Sequence, residues 1–389
     1  MYLTREQEKI LNGEYGWAVA KALELIVKVG EYLGADKLVP IMHAHVSGIS
    51  YKNIGEPGLL FIKELFRGGG IARVYTTINP GCVDLMGSSR IISNELLGKQ
   101  IHVNEYLEKM NMKPTYTCIP YLHRPPAPLE RLAWGESNAV IIANSFYGAM
   151  TNREGGPIAL AAALTGYIYH AGLQVMDNRV VEKEIVLDQS IGEELYGALG
   201  LWIGENITGI PLIRKHRLSL YDAKIVLAAS AASGSHGLIV LEGVTPQNTY
   251  RISDKVEKIS VDVKDLREYR GTPPSVGEEV LFYIGCPHLH PSEFMFIHKY
   301  LEKHEHMNKY DFLLTIPRIY AEIFSREIEV LRRKGVDIAI GTCPVVSVLS
   351  KKYDKVVTNS GKAAFYFKKI HGIEPYITSL KKIVEMIIG

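Results

Sequence analysis

The chain has 389 residues, 47% hydrophobic and 22% charged, an ordinary composition for a folded protein with room for two or three cores. Its 44 basic and 42 acidic residues leave a net charge of +2 without a lysine or arginine run, which argues against nucleic acid or an anionic membrane as partner. Four cysteines make no disulfide scaffold, so a reducing cytoplasm fits.

In chain order, MYLTREQEKILNGEYGWAVAKALELIVKVGEYLG carries charges throughout. It reads as a short helix, a break at Gly13 and a longer amphipathic helix, not as a signal peptide. PIMHAHVSGIS then sets His43, His45, Ser47 and Gly48 after an apolar start, and VYTTINPGCVDL sets Asn79, Pro80, Gly81 and Cys82 after a β-branched run. PTYTCIPYLH places Cys118 after alternating residues, and GIARVYTTINPG and NAVIIANSF both read as strands. GESNAVIIANSFYGAMTNREGGP is dense in small hydrogen-bonding groups, among them Ser137, Asn138, Asn144, Ser145, Thr151, Asn152 and Arg153. Such groups at the ends of apolar strands serve as caps and turns or line the site of a polar ligand. Singly they read as caps; as a set they favour the ligand. The longest uncharged stretch, Pro157 to Met176, reads as a buried helix, because residues that favour membrane insertion are sparse in it.

The turn-rich YRGTPPSVGEE marks the best boundary, between a mixed N-terminal piece (1–272) and a compact parallel α/β piece (273–389). In the latter, LFYIGCPHLHPSEF gives a buried strand over Leu281–Ile284, a stop at Gly285, Cys286, and a helix opening at Pro291. HPSEFMFIHKYLEK reads as that helix, YDFLLTIP as a strand, and AEIFSREIEVLRRKG as an amphipathic helix closed by Lys334 and Gly335. VDIAIGTCPVVSVL repeats the strand–glycine–cysteine–proline order with Gly341, Cys343 and Pro344, so both cysteines belong at the carboxyl edge of one sheet, where ligands bind in open α/β folds. A last strand, Lys355–Thr358, leads through Asn359, Ser360 and Gly361 to Lys362 at a helix start, an anion site or a plain N-cap. It is not a Walker A loop, since Val356 stands where the first glycine is needed.

No C-x-x-C pair exists, which disfavours zinc ribbons and ferredoxin-type clusters. Three cysteines from distant strands could instead converge on an iron–sulfur cluster and leave one iron without a protein ligand.

The combination HVSG, NPGCVDL, GESNAV, ANSFYGAMTNREGG, GCPH, GTCP and NSGKAAFY resembles the aconitase X family, in its archaeal form, over essentially the whole chain. The resemblance implies an α/β, aconitase-like, multi-lobed hydro-lyase with a [4Fe-4S] cluster on Cys118, Cys286 and Cys343. It implies a substrate pocket of Ser47, Gly48, Asn79, Pro80, Ser137, Asn138 and Lys362. Arg153 is carried over as a further pocket residue, although Met150 stands where relatives tend to have arginine. Cys82 departs from the small residue usual in that motif and is a spare thiol. The swivelling domain that closes aconitases and carries a serine base has no counterpart before Gly389, so a separate small subunit is expected, in a heterodimer. The archaeal form implies dehydration of (R)-5-phosphomevalonate to trans-anhydromevalonate 5-phosphate. The alternatives are a cis-3-hydroxy-L-proline dehydratase, a non-enzymatic binding module with zinc or no metal, and an electron-transfer protein with Cys82 as fourth ligand. His43, His45, His288 and His290 are the histidines near strand ends, where a structural role is the commoner one.

Overall fold

A computed structural model describes residues 1–188, 190–214, 218–304 and 310–389. Three parallel sheets organise it. The first runs Tyr75–Ile78, His43–Val46, Leu132–Trp134 across its width. The second runs Val240–Leu241, Ile210–Arg214, Val180–Leu187, Arg251–Val261. The third runs Asp337–Ile340, Asp311–Ile316, Val280–Ile284, Lys355–Thr358, Glu374–Ile377. Val280–Ile284 is buried at every position, which is why it reads as an unbroken apolar run. The third sheet winds outward from that strand in one direction and then, from Lys355–Thr358, in the other. The reversal creates a crevice between these two strands at their carboxyl ends.

The first sheet meets the third at that edge. Gly81 bridges to Thr342, Asp84 accepts the backbone N–H of Ile340 at 2.8 Å, and Ser50 donates to the carbonyl of Val346 at 2.8 Å. Gly285, which ends the central strand, has φ +132°, and a Cβ there would lie 2.3 Å from Thr315 Oγ1. Only glycine lets the chain leave the strand toward Cys286 at this point.

Four sequence expectations are corrected. NAVIIANSF is helical, within Ser137–Ser145, a helix buried on all sides; an unbroken apolar run carries neither the strand nor the helix period, so its pattern could not separate the two. Of Pro157–Met176 only the part up to Thr165, within the helix Gly156–Thr165, is α-helical, with a 3-10 turn further on at Gly172–Gln174. Gly166 at φ +79° stops that helix, and Tyr167–Tyr169 forms a strand against Leu38–Pro40. AEIFSREIEVLRRKG is interrupted at Phe324 into Tyr320–Ile323 and Ser325–Arg333. Cys118 follows no strand; it sits in a loop just before a short 3-10 turn, Pro120–Leu122. No helix among the described residues is long and apolar enough to cross a membrane.

Candidate active site

Each strand of the first sheet ends in a polar loop directed at the same space. His43–Val46 leads to Ser47 and Gly48, Tyr75–Ile78 to Asn79 and Pro80, and Leu132–Trp134 to Gly135, Glu136 and Ser137. Gly135 is needed for the crowding this creates, since a Cβ there would come within 2.3 Å of Ser47 Oγ. From the third sheet come Cys286, Cys343 and Lys362. All of these line one cavity of about 330 Å³, together with Cys118, Arg153 and Tyr366. The structure therefore brings together every predicted site residue except Asn138. That side chain is fully buried and turned away, donating to the carbonyl of Cys118 at 3.0 Å and to Tyr121 Oη at 3.3 Å, so it props the Cys118 loop from behind.

The three thiols differ in environment. Burial, reinforced by Glu136, pushes Cys118 up, while its Sγ accepts the His288 N–H at 3.2 Å. The neighbouring Cys343 thiol, reinforced by burial, raises Cys286, and Cys286 in turn lowers Cys343. Cys343 is also the least enclosed of the three and the most thiolate-like.

Sequence reading missed Glu136. It closes an ion pair with Lys362 in which each side chain is only 9% exposed. Lys362 also donates to Ser137 Oγ at 2.9 Å, and Glu136 accepts the Ala139 N–H at 2.8 Å as cap of the Ser137–Ser145 helix. Burial by itself would lower Lys362, but Glu136 and then the Cys286 thiol outweigh it and hold the ammonium charged. Burial would likewise raise Glu136, and Lys362 overrides it to keep the carboxylate ionised. The signal available in the sequence was an acidic residue directly before a Ser-Asn helix start, a position that caps helices and readily faces a cation. The sequence marks Lys362 as a candidate anion site; the structure shows its charge already balanced. Arg153 is different. It is exposed at the rim, with Nη1 donating to the carbonyl of Ala231 at 2.9 Å, and it is the one cavity-lining charge without a charged partner among the described residues.

The four histidines are not in the lining. His45 and His288 are fully enclosed and lowered to about 4, chiefly by burial, and His43 is lowered as well. His290 caps the Pro291–Glu302 helix. Cys82 is buried beside Gln100, 3.1 Å from its Oε1, and does not line the cavity.

Three thiols around one cavity fit a polynuclear cluster better than a single ion. Among the described residues no three histidine, cysteine or carboxylate groups gather around one point. Cys118, Cys286 and Cys343 would hold such a group between them, and the His288 N–H on Cys118 is the kind of sulfur hydrogen bond that would tune it.

Parallel α/β sheets converging by their carboxyl ends on three thiols, a compensated lysine and a rim arginine define a buried polar site of enzyme type. Comparison with known proteins bears on which. Family models described as the first, second and third domains of aconitase X match residues 1–177, 178–271 and 280–389. The chain belongs to the aconitase X family. Several archaeal relatives are named phosphomevalonate dehydratase large subunit; that of Methanocaldococcus jannaschii is 38% identical, over 94% of this chain and 95% of its own. A relative named cis-3-hydroxy-L-proline dehydratase, from Hypocrea jecorina, is 29% identical over 98% of this chain and 68% of its own. The solved holo-form of Thermococcus kodakaraensis aconitase X superposes with a TM-score of 0.90 at 34% identity, covering 100% of both chains.

Proposed function

We propose that this chain is the large, catalytic subunit of a hydro-lyase that removes water from (R)-5-phosphomevalonate to give trans-anhydromevalonate 5-phosphate. The observation that carries the reading is the meeting of Cys118, Cys286 and Cys343 with Lys362 and Arg153 in one cavity, in a chain whose archaeal relatives bear the corresponding name. The same name, large subunit, supports a small-subunit partner.

Cys118, Cys286 and Cys343 would hold a [4Fe-4S] cluster, which when bound supplies Lewis-acid assistance to loss of the 3-hydroxyl. Elimination also needs a proton taken from C2, and negative charge then develops toward the C1 carboxylate. Lys362 Nζ, fixed between Glu136 and Ser137 Oγ (2.9 Å), has a further N–H held in advance for that carboxylate. Glu136 keeps Lys362 charged and immobile, so no reorganisation is needed during the reaction. Arg153, whose charge is not cancelled nearby, suits the phosphate at the open end. The base is assigned to the small subunit: the enclosed His45 and His288 are off the cavity, and Glu136 is committed to Lys362 and the Ala139 N–H.

The test is anaerobic co-expression with the small subunit, followed by iron and sulfide content, visible absorption and turnover. A brown complex that dehydrates (R)-5-phosphomevalonate, and loses colour and activity with Cys286→Ser, is expected. A complex inert to that substrate but active on cis-3-hydroxy-L-proline overturns the substrate; a colourless, inactive one after reconstitution overturns the reaction class.

A further inference from the structure

Parallel pairing sets His43 opposite Tyr75 and His45 opposite Thr77, and the two-residue period of strands turns both imidazoles to one face, with the Thr77 hydroxyl between them. Thr77 Oγ1 lies 2.9 Å from His43 Nε2 and 2.8 Å from His45 Nδ1. His45 Nε2 lies 3.2 Å from Asn79 Oδ1. The first three side chains are sealed from solvent, whereas Asn79 lines the cavity.

A single hydroxyl proton limits how this row is polarised. If both rings donated to Thr77, its O–H would be left buried without an acceptor. If the row ran outward from Asn79, His43 Nδ1 would carry a buried N–H, and no described residue accepts from that atom. If it runs inward to outward, His43 Nε2–H donates to Thr77, Thr77 Oγ1–H to His45 Nδ1, and His45 Nε2–H to Asn79 Oδ1. The atom left over is then only a lone pair on His43 Nδ1. Orphaned buried N–H groups are rarer and costlier than orphaned acceptors, so the last arrangement wins.

We infer that His43, Thr77 and His45 are positioning residues that lock the Asn79 carboxamide, its oxygen held toward the sheet and its NH2 presented to the cavity as a donor for a ligand oxygen. Asn79 Nδ2 has no acceptor among the described residues, as this role requires. The site therefore selects a carboxylate or hydroxyl oxygen at this wall and rejects an N–H group. The inference rests on the proposed function only in taking that ligand to be (R)-5-phosphomevalonate.

Thr77→Val breaks the row with little change of volume, and Thr77→Ser restores the hydroxyl. In the holo complex, Thr77→Val is expected to raise KM for (R)-5-phosphomevalonate about tenfold with kcat within about twofold, as loss of an interaction made equally in ground and transition states requires. Thr77→Ser is expected to return KM to the wild-type value. Independently, ¹⁵N-histidine NMR of the full chain is expected to find His45 as the Nε2–H tautomer in wild type. An Nδ1–H tautomer overturns the polarity, and an unchanged KM in Thr77→Val overturns the positioning role. A wild-type complex inert to the substrate defeats the functional reading instead, and the tautomer then decides the inference alone.

Discussion

Replacing Glu136 by glutamine strips one charge from an ion pair that the fold has almost wholly removed from water. Both side chains are 9% exposed, so Lys362 would be left as a buried ammonium with only the Ser137 hydroxyl and the nearby thiols around it. Breaking such a pair from one side costs about 3–5 kcal/mol. The glutamine side chain would keep an amide oxygen for the Ala139 N–H and a neutral acceptor for Lys362, which places the expected loss at the lower end, about 3 kcal/mol. Lys362→Met removes the other charge and should cost a similar amount, but the double variant leaves no unpaired charge. Its loss should fall short of the sum of the singles by about 2 kcal/mol. Urea unfolding of the metal-free chain, followed by tryptophan fluorescence, to which Trp134, fully buried two residues away, contributes, reads all four members of the cycle. The pH dependence adds a sign. In wild type the Lys362 value is raised, so its contribution holds throughout neutral pH and fades only above the ordinary lysine range. In Glu136→Gln, burial dominates and pulls Lys362 down, so that variant should gain stability as pH rises from 7 to 9. Single variants within about 0.5 kcal/mol of wild type, or strictly additive losses, would refute the argument.

Two further outcomes follow from the same buried chemistry. In the metal-free chain, Cys343 should react first with iodoacetamide, being lowered by the neighbouring Cys286 thiol and the least enclosed; Cys286→Ala should slow it at pH 7, and an unchanged rate measured by mass spectrometry would count against that influence. Glu154 is raised to about 7, chiefly by burial, with its Tyr169 hydrogen bond working the other way. The folded state then holds a proton that the unfolded state has released, so stability should fall by about 3 kcal/mol as pH climbs from 4.5 to 7; Glu154→Gln should abolish that slope, and a variant retaining it assigns the titration elsewhere.

What the sequence determined about this protein is what neighbouring residues determine. The strand–glycine–cysteine–proline order at Cys286 and Cys343, and the strand before Lys362, are visible because each element declares itself within a dozen residues by burial pattern and punctuation. The carboxyl-edge location follows from the parallel alternation of strands and helices alone. The tertiary structure decided the rest. The helix over Ser137–Ser145 is buried on every side, so its apolar run contains no period to read. Ser137 and Asn138 are adjacent in sequence, yet one faces the cavity and the other props Cys118, because a helix turns consecutive side chains well apart. Glu136 and Lys362 belong to different sheets and stand 226 residues apart. Nothing local marks that pairing; it exists because two carboxyl edges close on the same cavity, and a lysine buried there requires a carboxylate beside it.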